Sequence, residues 1–134
     1  MIRPIALAVP RRGDDILVFE AHDGSFFRPL GGGIEFGETA EAALRREMRE
    51  ELAVDVEDVR CLGVLENLFH ACGRDGHEIV FVFDCRLSDP AVYDRDVVGE
   101  VLDDPGTRVL WHPLDSFTAD APLYPAGLAD LLTR

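Results

Sequence analysis

Three carboxylates lie close together near the middle of the sequence, at Glu47, Glu50 and Glu51. In a helix, residues spaced i, i+3 and i+4 share one face. Like charges at this spacing destabilise a helix by about 0.2–0.5 kcal/mol per pair, and the C-terminal half of a helix favours cations. A divalent cation such as Mg²⁺ or Mn²⁺ reverses this penalty, because it binds carboxylate oxygens and completes its coordination with water and substrate phosphates. The spacing therefore makes these glutamates candidate metal ligands.

The residues around the acids predict the helix that carries them, over residues 39–52. Leu44, Met48 and Leu52 recur every four residues and form an apolar stripe that faces the core. By itself, a helix face this rich in Arg and Glu is more often simply solvated. The preceding glycines, Gly31 to Gly33, favour a metal site, because a glycine loop brings backbone close to the acids and to a bound phosphate.

The same glycines raise the alternative of a P-loop. The segment from Gly32 to Thr39 follows the spacing G-x-x-x-x-G-K-[ST], except that Glu38 stands where the lysine belongs. A carboxylate at that place inverts the charge that the phosphates require. The segment therefore does not predict a P-loop.

The longer segment from Gly32 to Val54 resembles the Nudix box, G-x5-E-x7-R-E-U-x-E-E-x-G-U, where U is bulky and apolar. Every fixed position matches except the last glycine, which is replaced by Ala53. A glycine just past a helix usually adopts the left-handed conformation, in which alanine costs about 1 kcal/mol. If Ala53 is left-handed, the loop after the helix is less stable, while the acids that precede it keep their places.

The resemblance to the Nudix hydrolases implies a fold of α/β (α+β) type, with a mixed β-sheet sandwiched between helices. It implies a reaction in which water activated by Mg²⁺ or Mn²⁺ attacks one phosphorus of a diphosphate and a carboxylate takes the proton. The implied metal ligands are Glu47, Glu50 and Glu51. Arg46 and Glu38 match a pair that orients the helix and its acids, and the backbone of Gly32 and Gly33 faces the metal or the substrate.

The rest of the chain predicts strands on both sides of the helix, within one domain over residues 1–134. Predicted strands cover residues 5–9, 15–21, 26–30, 61–70, 78–87 and 107–112, with a hairpin turn at 73–76 and a short helix at 126–132. Residues 88–106 form a long, polar and acidic loop. This order of elements also indicates a mixed sheet packed between helices.

Weaker candidates lie outside the box. Arg28 is a candidate phosphate clamp, although plain surface charge is an equal alternative. Aromatic residues that could stack on a base are Phe26, Phe27, Phe69 and Tyr93, and aromatic residues near strands more often belong to the core.

A proton acceptor outside the helix is also expected, because the box acids are occupied as ligands. His77 and Glu78 open a strand at the expected rim of the pocket, and Glu78 is the favoured general base or ligand for a second metal. Three acids in the long loop, Glu100, Asp103 and Asp104, compete for that role.

The composition restricts the partners. A formal net charge of −13 repels nucleic acids, anionic membranes and any phosphorylated substrate whose site is not shielded by cations. An acid excess that only keeps the protein soluble is the alternative. We expect a small nucleoside diphosphate derivative as substrate, such as a nucleoside triphosphate, a nucleotide sugar, a dinucleotide or ADP-ribose, with no nucleic acid polymer and no membrane as partner.

The remaining features bear on location and assembly. No apolar run approaches the roughly 18 residues of a membrane span, and the N-terminus lacks the pattern of a signal peptide, so a cytoplasmic protein is expected. Three cysteines without C-x-x-C spacing do not predict disulfides, and a zinc site of Cys72, His70 and His77 lacks ligand spacing. A homodimer is common in the family that the sequence resembles. A nucleotide sensor without turnover is the alternative function, but such sensors tend to lose the box acids, which are all present here.

Overall fold

A computed structural model describes all 134 residues. Its strands are β1 (Ile2–Ala8), β2 (Arg11–Arg12), β3 (Asp15–Glu20), β4 (Phe27–Arg28), β5 (Leu30–Gly33), β6 (Val56–Ala71), β7 (Arg74–Leu87), β8 (Val97–Glu100) and β9 (Arg108–Pro113). Its helices are α1 (Ala40–Leu52) and α2 (Leu128–Leu132), with a 3-10 helix at Pro90–Asp94. Neither α-helix has the length and apolar character that crossing a lipid bilayer requires.

The strands form two sheets. The first is mixed, with strand order β5-β1-β7-β6, and only its β1–β7 pair is parallel. The second is antiparallel, with order β2-β3-β9-β8 and β4 paired to β3. The predicted mixed sheet with helices packed on it is confirmed, while the division of the strands into two sheets was not foreseen from the sequence.

Two apolar cores hold these layers together. The first core joins α1, through Leu44 and Met48, to one face of each sheet. The second core lies on the other faces and includes Leu128 and Leu132 of α2. Alternate residues of β1 enter the two cores, which explains why that strand reads as a continuous apolar run. Each fully buried side chain of this kind stabilises the fold by about 1.5–3 kcal/mol.

Both ends of α1 are fixed by local hydrogen bonds. At the N-terminus, Thr39 Oγ1 accepts from the Ala42 N–H at 3.1 Å. At the C-terminus, Ala53 has φ 55° and ψ 38°, which is left-handed, and its N–H donates to the Arg49 carbonyl at 2.9 Å. The box glycine would occupy this same conformation, so the substitution changes the residue and keeps the local geometry.

The long β6–β7 hairpin differs from its predicted bounds. Its turn lies at Cys72 and Gly73, which both have positive φ, and β7 has already begun at Arg74. Gly76 is a strand residue opposite Phe69, whose ring covers it so closely that a Cβ would come within 2.2 Å of the ring. The glycine therefore marks a close approach of a side chain and not a turn.

Candidate active site

The carboxylates of α1 lie directly against the glycine strand β5. A Cβ on Gly32 would lie 2.6 Å from the carboxyl carbon of Glu47, so only glycine allows this approach. The backbone of Gly31 is close enough to the Glu51 carboxyl group to lower its pKa, although burial and Glu47 raise that pKa more. The backbone of β5 therefore contacts the acids of α1, and the sequence predicted that the glycines would lie close to these acids.

Glu47 and Glu51 form a carboxylate pair. The side chain of Glu47 is 16% exposed, and Glu51 is 9% exposed as a whole residue. Burial, followed by the hydrogen bond and negative charge of Glu47 and the negative charge of Asp103, raises the pKa of Glu51 well above its usual range. Two carboxyl groups can lie this close together at low energetic cost when a proton or a cation between them offsets their negative charge.

Arg46 links the acids to the glycine strand. Its Nη2 donates to the Gly33 carbonyl at 2.9 Å and to Glu38 Oε1 at 2.6 Å, and its Nη1 donates to Glu47 Oε1 at 2.9 Å. Glu38 also accepts from the Glu35 N–H at 2.9 Å. The hydrogen bonds from Arg46 lower the pKa of Glu38, so this carboxylate stays ionised. Arg46 and Glu38 thus touch as the sequence predicted, and the pair fixes the direction of Glu47.

Glu50 is placed differently from the other two glutamates. Its side chain is 53% exposed and contacts Arg46 Nη1 at 3.3 Å. As the side chains stand, no three His, Cys, Asp or Glu residues are arranged to hold a metal ion. The donors nevertheless suit a hard divalent cation. The Glu47 and Glu51 carboxylates lie together beside the backbone of Gly31 and Gly32, and carboxylate and carbonyl oxygens are the ligands that Mg²⁺ or Mn²⁺ binds.

An acidic loop, residues 100–107, closes over the end of α1. The Leu102 N–H donates to the Glu51 carbonyl at 2.9 Å. A cavity of about 210 Å³ separates the loop from the helix, lined by Phe19, Glu51, Val101, Asp103, Asp104 and Thr107. Asp103 and Asp104 both line this cavity, and of the two it is the negative charge of Asp103 that acts on Glu51.

A second, apolar cavity of about 360 Å³ lies beside the first, and Phe19 lines both. We call it the aromatic cavity; its lining is Phe19, Phe26, Arg28, Asn67, Leu68, Phe69, Ala71, Tyr124 and Ala126. The rings of Phe26 and Tyr124 are 5.4 Å apart and tilted by 41°. Leu68, Phe69 and Tyr124 are all exposed, which is unusual for large apolar side chains and typical of a ligand site.

Glu78, predicted as the general base or a second metal ligand, is a buried residue of β7 with hydrogen-bond partners of its own. It follows Val80 and Val82 on the face of β7 that carries the second core, and it is 5% exposed. Its Oε1 accepts from Arg28 Nη2 at 3.1 Å and from Asn67 Nδ2 at 3.0 Å. Because both donors line the aromatic cavity, Glu78 orients the polar edge of that cavity instead of facing Glu51.

Two predicted substrate contacts are also corrected. Phe27 is 7% exposed and packs in the second core against Phe117, with ring centroids 5.5 Å apart, so it cannot stack on a base. Its neighbour Phe26 points into the aromatic cavity, because successive side chains near a strand lie on opposite faces. His77 lines neither cavity and lies 3.9 Å from the Glu66 carboxylate.

The aromatic cavity also contains residues that the sequence did not indicate. Phe19, Asn67 and Tyr124 come from β3, β6 and the segment before α2. Nothing local marks them, because a lone Asn or Tyr carries no spacing pattern. The fourth predicted aromatic residue, Tyr93, is structural, since its hydroxyl accepts from the Leu87 N–H at 2.8 Å and its ring stacks on Trp111.

The family model of the NUDIX domain matches residues 1–132 of the chain. Among curated proteins, NAD-capped RNA hydrolase NudC of Mycobacterium tuberculosis (strain H37Rv) is 37% identical over 84 residues, which are 57% of this chain and 26% of that protein. NudC of Pasteurella multocida is 35% identical over 65 residues, or 47% of this chain and 25% of that protein. The matches thus span about a quarter of the length of these relatives.

Solved structures of other proteins have a similar fold. A MutT NUDIX hydrolase from Burkholderia pseudomallei superposes with a TM-score of 0.72 at 25% identity, over 98% of this chain and 97% of that one. An ADP-ribose pyrophosphatase from Streptococcus suis superposes with a TM-score of 0.63 at 22% identity, over 98% and 87% of the two chains. The second likeness concerns the fold alone.

Proposed function

The chain belongs to the NUDIX domain family, and from its site we propose that it hydrolyses the diphosphate bond of a small nucleotide derivative with Mg²⁺ or Mn²⁺. The observation that carries this proposal is the buried pair Glu47 and Glu51 against the backbone of Gly31 and Gly32. Without a cation, keeping both carboxylates ionised is unfavourable, and burial and the nearby Glu47 raise the pKa of Glu51 for this reason. A site that only stabilised the fold would not gather two carboxylates there.

Glu47 and Glu51 would hold the cation, with Glu50 as the third predicted ligand. When bound, the cation supplies charge neutralisation for the diphosphate and makes water more acidic. Arg46 keeps Glu47 in place through its own bonds to Glu38 and Gly33. We assign Asp103 as the proton acceptor, since it shares the small cavity with Glu51 and has no hydrogen-bond partner of its own in the loop.

The two adjoining cavities suggest how a nucleotide lies in the site. A planar base suits the aromatic cavity, where rings cover its faces and Arg28 and Asn67 meet its polar edge. The diphosphate then extends past Phe19 toward Glu51, because Phe19 borders both cavities. This arrangement gives the apolar and the charged halves of one substrate separate surroundings.

The comparisons suggest which nucleotide derivatives to test first. The curated relatives are named for NAD-capped RNA and one structural neighbour for ADP-ribose. Since a net charge of −13 repels an RNA chain, we propose that the substrate is a free small molecule of the dinucleotide, ADP-ribose or nucleoside triphosphate type.

A turnover screen tests the proposal. The purified protein is incubated with free NAD, ADP-ribose, nucleotide sugars, nucleoside triphosphates and an NAD-capped RNA, each with Mg²⁺, with Mn²⁺ and with EDTA. We expect cleavage of at least one free molecule at its diphosphate, abolished by EDTA and restored by metal. Activity undiminished in EDTA would contradict the metal site. Binding without cleavage would support a nucleotide sensor instead, and cleavage of the capped RNA alone would contradict the small-molecule assignment.

A further inference from the structure

The acidic loop that brings Asp103 to Glu51 joins β8 to β9. Its base is held by the bond from the Val101 N–H to the Thr107 carbonyl at 2.9 Å and by Val101, which is buried in the first core. Its internal backbone bonds are those of a short turn, such as Asp104 N–H to the Val101 carbonyl at 3.1 Å. Its backbone hydrogen bond to α1 runs from the Leu102 N–H to the Glu51 carbonyl. The tip of the loop, which carries Asp103 and Asp104, has a further anchor outside the β8–β9 hairpin.

That anchor comes from the turn between β3 and β4. The Thr107 hydroxyl, which is buried, donates to Asp104 Oδ2 at 2.6 Å. Because its proton is used there, Thr107 Oγ1 accepts from His22 Nε2, which lies 2.9 Å away. The same nitrogen lies 3.3 Å from Asp104 Oδ1. His22 thus carries its proton on Nε2 and closes a three-residue network with Thr107 and Asp104.

Packing supports the same contact independently of the hydrogen bonds. Gly106 has φ +92°, and a Cβ placed on it would lie 3.4 Å from Cε1 of His22. An L side chain at position 106 would therefore meet the imidazole ring, at a residue whose conformation already favours glycine.

We propose that His22 is a positioning residue, which acts through Thr107 and Asp104 to hold the acidic loop so that Asp103 faces Glu51. The inference rests on the proposed hydrolase function. Both aspartates line the small cavity, but the Asp104 carboxylate is bound to His22 and Thr107, whereas Asp103 has no side-chain partner and its negative charge acts on Glu51. The same turn carries Phe26 into the aromatic cavity, since the Ala21 N–H donates to the Phe26 carbonyl at 2.9 Å. The turn that contains His22 therefore contacts the acidic loop on one side and carries Phe26 into the aromatic cavity on the other.

Three variants test the role. His22→Leu removes the donor, and His22→Gln keeps an N–H donor at a similar distance from the backbone. His70→Leu is the matched control, because His70 also bonds an aspartate, Asp75, and is about as exposed as His22, but lies in the β6–β7 hairpin and not against the acidic loop. The measurements are amide hydrogen exchange at Leu102 in the metal-free protein, Mn²⁺ affinity without substrate, and the separate values of kcat and KM.

We expect His22→Leu to speed exchange at Leu102 by about fivefold and to lower kcat or Mn²⁺ affinity by about tenfold with KM nearly unchanged. His22→Gln should recover most of both effects, and His70→Leu should show neither. Unchanged exchange in His22→Leu would overturn the proposal, and so would faster exchange with normal kcat and Mn²⁺ affinity. If the wild-type protein cleaves none of the substrates, the proposed function fails, and exchange together with Mn²⁺ affinity still decides the role of His22.

Discussion

The carboxylates of α1 and the aromatic cavity meet at Phe19, but they draw on the chain in opposite ways. The acid site takes Gly31, Gly32, Glu47 and Glu51 from one strand and the helix that follows it. The aromatic cavity collects residues from β3, the β3–β4 turn, β6 and the segment before α2. In the acid site, the helical spacing of nearby residues brings the charged groups together. In the aromatic cavity, the packing of distant segments brings the apolar side chains together. The chemistry of the reaction and the choice of substrate should therefore respond to different substitutions.

The strongest test of this division is Glu51→Gln. We expect kcat to fall about a thousandfold, or about 4 kcal/mol of transition-state stabilisation, with substrate affinity for the aromatic cavity retained. Initial rates at saturating Mg²⁺ measure the loss. Glu41→Gln is the control, since Glu41 is an exposed acid of the same helix bonded to Arg45. A Glu51→Gln variant with normal kcat would remove the acid site from the reaction.

We also expect Glu51→Gln to change the stability of the metal-free protein. Because the folded-state pKa of Glu51 is raised, the metal-free protein loses stability as pH rises above the ordinary carboxyl pKa of 4.5 and through the raised value. Glu51→Gln should remove this loss, so its metal-free Tm should exceed that of the wild type at pH 8. Melting curves in EDTA at pH 5 and pH 8 measure the difference. Equal pH dependence of the two proteins would contradict it.

Adjacent phenylalanines separate the aromatic cavity from the core. Phe27→Ala should destabilise the protein by about 3–5 kcal/mol, because it empties a buried site. Phe26→Ala should leave stability within about 1.5 kcal/mol but raise KM about tenfold, since a stacked base contributes about 1–3 kcal/mol. Denaturant unfolding and steady-state kinetics on both variants check the pair. The opposite pattern would place the substrate against the core side of β4.

Arg46 tests the support of the acids with a smaller expected effect. Arg46→Lys keeps the charge but loses the simultaneous bonds to Glu38, Glu47 and Gly33, so kcat should fall about 10–100-fold. Arg45→Lys serves as the control on the preceding residue, whose guanidinium bonds Glu41 and the Val56 carbonyl. Similar kinetics for the two variants would show that Arg46 has no special role.

The smallest expected effect is at Ala53, beyond both halves of the site. Since Ala53 is left-handed, Ala53→Gly should stabilise the protein by up to about 1 kcal/mol without changing kcat. Denaturant midpoints at constant m-value measure the change. Destabilisation would indicate that the lower entropy of alanine in the unfolded chain outweighs the strain.

The sequence by itself determined α1, its apolar stripe and the placement of its acids, because helical spacing is a local property that neighbouring residues fix. It also determined that the position of Ala53 is one for a glycine, and it predicted the mixed sheet with helices on it. The contact between Arg46 and Glu38 was implied by the resemblance to the Nudix box and not by helical spacing.

Only the tertiary structure decided the rest of the site. It turned Phe26 and not Phe27 into the aromatic cavity, because the register of β4 against β3 sets which face each side chain occupies. It bound Glu78 to Arg28 of β4 and to Asn67, its partner across the β6–β7 hairpin, and left Asp103 as the acid whose charge acts on Glu51. Contacts between distant segments depend on how sheets and loops pack together, and no spacing within one segment records that packing.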